Sequence, residues 1–448
     1  VAIWAGFVLY LLLVAKVVTG STGPDGFHAP LIAFALLVTP FALWAFFKAP
    51  IVFPFGLYVA LIPFDPLLSV VSGATLVRFL GMAAALALVV RLLLTRNVLK
   101  MRGPWYFWFA WIVWAATTLL WTDAMVDSKR IFPVYLQNFL MMTVLAVYPV
   151  TRREFKTIAT TLVLSGVGSV IYAIYVNGGF NGTIRMSLMN AAGSVVDQNF
   201  FATSFMLPIA FAFSTALSTR RTLLRLLCWV AIGLMLVGIL ISGSRGAFVA
   251  LALMFGYFAL RGRSLGQVAL LTLGLGALLI RFPLVWQRLL QNDGGSGRTF
   301  IWGVGLQALK DHWLFGSGVG SFQETYARAF LSSYQPINQG WTRPAHNVVL
   351  GVLVELGILG FVLLAAAWLS TFRSMRVIRR SSPNFAFRTA CEAGIIALVV
   401  QSFFIDPMWL KYVWLGFTLP FMLLNLESRS VTPVAARRDV DVVVGAAA

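Results

Sequence analysis

The sequence predicts an all-α fold, a polytopic transmembrane helical bundle of about 12 and up to 14 helices, with a long outward loop that carries amphipathic helices. Three observations lead there. Of 448 residues, 60% are hydrophobic and only 11% charged. The mean hydropathy of +0.87 lies outside the soluble range. Apolar runs of about 20 residues recur with short polar breaks, and clusters of Lys and Arg fall in alternate breaks.

In chain order the candidate spans are 2–19, 29–47, 51–71, 74–94, 105–121, 131–150 and 154–176, then 199–217, 222–241, 245–260 and 265–282. After a long polar stretch come 347–371, 386–405 and 408–426. Val1 to Thr19 has no basic n-region and no small-residue cleavage site, so it reads as a spanning helix rather than a signal peptide. The third candidate is interrupted by Pro54, Pro63 and Pro66. Proline removes a helical hydrogen bond, so a broken or re-entrant pair would bring the total from 14 toward 12 without changing sidedness.

The basic loops hold Arg91, Arg96, Lys100 and Arg102; Arg152, Arg153 and Lys156; Arg220, Arg221 and Arg225; Arg261 and Arg263; and Arg373, Arg376, Arg379 and Arg380. These are read as cytoplasmic. The organisation expected is 1–282 N-terminal transmembrane helices, 283–345 an outward loop, 346–428 C-terminal transmembrane helices and 429–448 a short cytoplasmic tail. Within the loop, Arg298 to His312 and Ser321 to Leu331 read as amphipathic helices on the membrane surface, parted by Gly316, Gly318 and Gly320. Those glycines follow no strand, so they form no dinucleotide loop.

A net charge of +19 would suggest nucleic acid in a soluble protein. Here most of the excess is topological, and the expected surroundings are membrane lipids with no nucleic-acid partner. The two cysteines, Cys228 and Cys391, read as inert core residues. No cluster has metal-ligand spacing, so neither a metal nor another cofactor is expected.

The informative basic residues are those that break the charge rule. Arg185, Arg288, Arg298, Lys310, Arg328 and Arg343 lie in outward loops, with Arg245 at the lip of a helix. They suit an anionic ligand, with contact to anionic headgroups as the alternative. In Ser242-Gly243-Ser244-Arg245, Gly243 suits a helix end and Ser244 the next N-cap. Arg245 then occupies a first turn, where a phosphate could accept from both guanidinium and backbone N–H groups; a plain turn is the alternative.

Of three histidines, His28 and His312 have bland contexts. His346 stands where the outward loop meets a membrane helix, at the positive end of its dipole, which favours a neutral ring able to accept a proton. Asn347 follows it, and Gly351, Gly357 and Gly360 further along permit close packing. Glu355 lies within the span, either orienting an arginine or bonding between helices. Asp197-Gln198-Asn199 either caps the next helix or reaches the site.

His346-Asn347, nine residues, Gly357, two residues and Gly360 resemble the motif of the O-antigen ligase family. SGSRGAFVAL, GRTFIWGVGLQAL, GSGVGSF and RPAHNVVLGVLVELGILG resemble the wider superfamily of O-antigen ligases, O-antigen polymerases and protein O-oligosaccharyltransferases, over residues 180–370. The resemblance implies about 12 membrane helices in a bacterial inner membrane and a site on the periplasmic face. It further implies transfer of a glycan from undecaprenyl pyrophosphate to a sugar hydroxyl of lipid A-core. His346 would be the catalytic base, Arg245, Arg298, Arg185 and Arg343 the pyrophosphate-binding residues, and Asn347, Asn199 and Glu355 their supports. A polymerase or a protein glycosylating enzyme would differ only in acceptor; the short tail after the last span favours lipid. A flippase for a lipid-linked sugar is the alternative from another class.

Overall fold

A computed structural model of the chain describes residues 41–71, 74–179, 184–190, 195–261, 266, 297–332, 343–406 and 408–431. The candidate spans 2–19 and (all but Gly266) 265–282, most of 29–47, His28, Arg288 and Asp439 to Asp441 fall outside them.

The fold is the expected all-α bundle. After a helical stretch at 41–48, α1 (Phe55–Leu61) and a 3-10 helix (Ile62–Leu67) lead into a small hairpin of β1 (Ser69–Val71) and β2 (Ala74–Thr75). Pro63 and Pro66 account for that break in the third candidate span, since neither can donate to a helical ladder. The long helices follow: α2 (Leu76–Thr95), α3 (Gly103–Thr117), α4 (Met125–Val147) and α5 (Arg152–Val176). Next come α6 (Gln198–Thr203), α7 (Met206–Ser218), α8 (Thr222–Ser242) and α9 (Arg245–Leu260). The loop contains α10 (Arg298–His312) and α11 (Phe322–Ser332), and the chain continues through α12 (Val348–Ser374), α13 (Phe385–Ser402) and α14 (Lys411–Val431). Among the described residues seven helical segments are long and apolar enough to cross a membrane, and Phe55–Leu67 and Arg245–Leu260 are shorter apolar ones.

Loop contacts sort the two ends. At one, Leu99 N–H donates to the Val147 carbonyl at 2.9 Å, Arg152 reaches the Pro383 carbonyl and Arg102 the Leu424 carbonyl. The loops read as cytoplasmic therefore meet one another. At the other end Met186 N–H donates to the Ile241 carbonyl, and Ser128 Oγ to the Val319 carbonyl. Near the basic end Glu392, 1% exposed as a side chain, holds Arg388 at 2.9 Å and Arg261 at 3.2 Å, with Tyr257 donating to the same carboxylate. The sequence reading singled out Glu355 and not this network, in which each buried charge has a partner. Cys228 and Cys391 are free and buried, as expected of core residues.

The feature that shapes the site end is a break in α12. Gly357 has φ 68° and ψ −174° inside an otherwise continuous helix. A break strands the carbonyls above it and the N–H below it. The loop between α10 and α11 supplies the partners. Ser317 N–H donates to the Val354 carbonyl at 2.9 Å, Gly318 N–H to that of Glu355 at 2.8 Å, and Ile358 N–H to that of Trp313 at 2.8 Å. Trp114 Nε1 satisfies the Leu356 carbonyl at 2.8 Å. Gly316, Gly318 and Gly320 all have positive φ, and a Cβ on Gly316 would fall on the Glu355 carbonyl. The glycine series thus lets one backbone lie against another.

A Cβ at 357 would fall on the Leu314 carbonyl. Gly357→Ala is expected to cost about 2–3 kcal/mol from backbone strain and the displaced loop. A clear drop in the thermal unfolding midpoint in detergent would show it, with Gly168→Ala, whose Cβ meets nothing within 4 Å inside α5, as the control that should show no drop.

Candidate active site

Two groups of the expected residues assemble at the end of the bundle that carries the glycine loop. The first forms around the turn between α8 and α9. Gly243 ends α8 in the left-handed conformation at φ 61°, as expected, and α9 starts at Arg245. Ser244 occupies the N-cap position, yet its hydroxyl makes no capping bond. Arg185 arrives from the preceding loop and donates through Nε to the Ser242 carbonyl at 2.7 Å. A Cβ on Gly243 would lie 3.4 Å from Arg185 Cγ, so the glycine makes room for that side chain. Arg185 therefore lies against the α8–α9 turn, next to the start of α9 at Arg245, where backbone N–H groups lack helical partners.

The second group surrounds His346. Asn347 caps α12, its Oδ1 accepting from Val349 N–H at 2.9 Å and Leu350 N–H at 3.2 Å. The turn that makes this cap possible puts His346 at φ +48°, a left-handed backbone that costs a non-glycine residue energy. The preceding carbonyl, on Ala345, accepts from Trp302 Nε1 at 3.1 Å. Trp302 lies one turn along α10 from Arg298, so a single helix anchors the His346 turn and presents Arg298 to it.

The electrostatics of His346 agree with that placement. Its pKa is lowered from 6.5, first by burial, then by the fields of Arg298 and Arg343, with Asp197 pulling the other way. The direction is the one expected from the start of a helix, and burial and two guanidinium groups act the same way. A neutral imidazole can accept a proton.

Asp197 also caps α6, its Oδ1 accepting from Asn199 N–H at 2.8 Å and Phe200 N–H at 3.2 Å. The two alternatives for this triplet thus hold together, cap and neighbour of the site. Asn199 contributes backbone there, and its carbonyl accepts from Thr203 Oγ1 at 2.6 Å. Glu355, two turns or more below His346 on α12, turns to the glycine loop, accepting from Gly320 N–H at 2.9 Å and Phe322 N–H at 3.3 Å. It bonds between elements rather than orienting an arginine. Arg343 is exposed and within electrostatic range of both His346 and Tyr326.

Asp406 was not anticipated. It lies in the α13–α14 connection, and a Cβ on Gly351 would be 3.1 Å from its Oδ2 and 3.5 Å from Ala345 Cβ. Burial pushes its carboxyl upward, opposed by a hydrogen bond from Met408 N–H. Two residues earlier Phe404 packs on Gly246, so this connection bridges the Arg245 turn and the His346 helix. The only hint in the sequence was a carboxylate in a short outward connection between two spans. Among the described residues no three His, Cys, Asp or Glu side chains gather as a metal site.

Residues 230–365 match the family model described as O-antigen ligase. This segment belongs to the O-antigen ligase family. The matched stretch of the ligase family takes in Arg245, Arg298, Arg343, His346, Asn347 and Glu355, and leaves out Arg185, Asn199 and Asp406. A comparison with curated proteins finds no match. The family supports an O-antigen ligase or polymerase type of function, that of a glycosyltransferase-like membrane enzyme acting on lipid-linked glycans.

If His346 must be neutral, kcat/KM falls as pH drops through its pKa, below 6.5. Arg343→Gln removes a cation and moves that acid limb to higher pH. Asp197→Asn removes an anion and moves it lower. A pH profile of initial transfer rates for the three proteins checks both signs.

Proposed function

We propose that the chain is an O-antigen ligase, an inverting glycosyltransferase that works without a metal ion. It moves a glycan from undecaprenyl pyrophosphate to a sugar hydroxyl of lipid A-core, on the periplasmic face of a bacterial inner membrane. The observation that carries this reading is the imidazole of His346, kept neutral beside Arg298 and Arg343 while Asn347 fixes its turn.

The acceptor O–H gives its proton to His346, and its oxygen attacks the anomeric carbon. The bond from that carbon to the pyrophosphate oxygen breaks, and its electron pair leaves with undecaprenyl pyrophosphate. Attack opposite the leaving group inverts the anomeric centre. Charge grows on the departing phosphate, and Arg245, Arg298, Arg185 and Arg343 are the groups able to meet it with charge-assisted hydrogen bonds. The Arg185–Arg245 turn adds backbone N–H groups at a helix N-terminus, a setting that suits phosphate. Asp406 and Asn347 act on position: the first packs against the His346 helix, the second holds its first turn.

A polymerase or a protein O-oligosaccharyltransferase would run the same chemistry on a different acceptor, and supplying purified donor with lipid A-core or with a protein acceptor separates them. A flippase would move donor between leaflets of a liposome without any transfer.

His346→Ala is expected to lower kcat by about 10²- to 10⁴-fold, the usual worth of general base catalysis. The wild-type rate should persist in EDTA. Full activity in the variant, or loss of wild-type activity in the chelator, contradicts the scheme.

A further inference from the structure

The helices at the site end allow the bilayer surface to be located. The hydrocarbon core is about 30 Å thick and a helix rises about 1.5 Å per residue. Helix α12 has 27 residues, about 40 Å, and is too long for the core alone. Its break divides it. From Ile358 to the end of the following 3-10 turn at Val377, beside Arg376, the segment spans about 30 Å and matches the core. The segment above Gly357 is then surplus and projects outward.

Two neighbours give the same level independently. From Gly103, beside Arg102 at the basic end, α3 and its 3-10 extension run just under about 30 Å to Leu120. Leu120 is 84% exposed, and across the loop at the start of α4 Val126 is 85% exposed. Counting about 30 Å outward along α4 from Val147 also ends within a turn of Val126. At this height the neighbours are tied to the glycine loop: Trp121 Nε1 bonds the Gly316 carbonyl at 3.1 Å, and Ser128 the Val319 carbonyl.

At the same level the loop after α10 presents Trp313 and Phe315, 59% and 54% exposed, with Leu314 between them. Trp313 is fixed to the break through its carbonyl, and Phe315 lies 6.0 Å from Trp114 between ring centres. Just below, Ile358, Leu359 and Val362 form the exposed apolar face of α12, the face a spanning helix turns to lipid. The aromatic turn continues that face upward. Lys310, one turn back along α10, is exposed beside it, as basic residues are where an apolar surface reaches the headgroups.

We propose that Trp313-Leu314-Phe315 is a wedge inserted in the outer leaflet, which pins the Gly357 break at the hydrocarbon edge and holds His346 roughly 16 Å above it. The occupant of this apolar surface is lipid, because the surface is continuous with a lipid-facing span and lies at the height where aromatic belts form. The headgroup layer is only about 5–7 Å deep, so the imidazole stands beyond the lipid phosphates, at the height of sugars carried on a lipid. This assignment does not depend on the proposed reaction.

Spin labels placed by Phe315→Cys, Val126→Cys, Val362→Cys and Glu324→Cys, in vesicles of phosphatidylethanolamine and phosphatidylglycerol, test it by collision with oxygen and with a water-soluble nickel chelate. Cys228 and Cys391 are buried and leave the surface to the new labels. The label at 315 should show an oxygen-to-nickel ratio several-fold above that at 324, close to 126 and below 362. A ratio equal to that at Glu324 overturns the proposal, as does one equal to that at Val362, which would put the break inside the core. As a second readout that leaves the turn's aromatic character in place, Trp313→Phe should remove part of the fluorescence quenched by lipids brominated near the top of the acyl chain. An unchanged quenched fraction counts against the wedge.

Discussion

The site end of this protein depends on one exchange of hydrogen bonds, that between the broken backbone of α12 and the loop from Trp313 to Ser321. In an apolar solvent a carbonyl without a donor costs several kcal/mol, so a helix can be interrupted only where another segment supplies the partners. Ser317, Gly318 and Trp114 supply donors, and Trp313 supplies an acceptor. Glu355 reciprocates from α12, taking the N–H groups of Gly320 and Phe322 at the start of α11. Each strand of the exchange satisfies the other, and the two cannot be separated without exposing both.

From that joint the rest of the site follows. It carries the upper part of α12, and hence His346, and it fixes α11 on one side while α10 is fixed on the other through Trp302 and the Ala345 carbonyl. The arginines are delivered by separate elements. Arg298 comes with α10, Arg185 and Arg245 come with the α8–α9 turn, and the Phe404–Asp406 stretch touches both parts. Arg298 and Arg343 are thereby brought within electrostatic range of the His346 ring, and repulsion between like charges favours its uncharged state.

Much of this was legible in the sequence because its physics is local. Among the described residues the length of apolar runs gave the long helices, and α10 begins and ends at the expected Arg298 and His312. The prolines in the third candidate announced its break, and Gly243 announced the end of α8. What stayed hidden depends on pairing across the chain. Gly357 reads as a packing residue until the loop that fills its break is known. Gly316, Gly318 and Gly320 could be excluded as a nucleotide loop but not assigned to a helix beyond them. Asp406 and Glu392 stand outside the quoted motifs, Trp302 stands inside one without showing its role, and their meaning comes from distant neighbours, Ala345 for Trp302, Arg261 for Glu392 and Gly351 for Asp406. The Ser244 hydroxyl is the converse case, a local rule for capping that the folded turn does not use.

The left-handed backbone at His346 bears on how such a motif could be reused. Its unfavourable dihedral is held in place by the Asn347 cap on one side and the grip of Trp302 on Ala345 on the other. Someone grafting the His-Asn pair onto a different scaffold would copy the letters and lose the clamp, and the imidazole would relax into a commoner turn facing elsewhere. The portable unit is therefore larger than a dipeptide: it comprises the helix start, the indole that braces it, and the fold that delivers that indole.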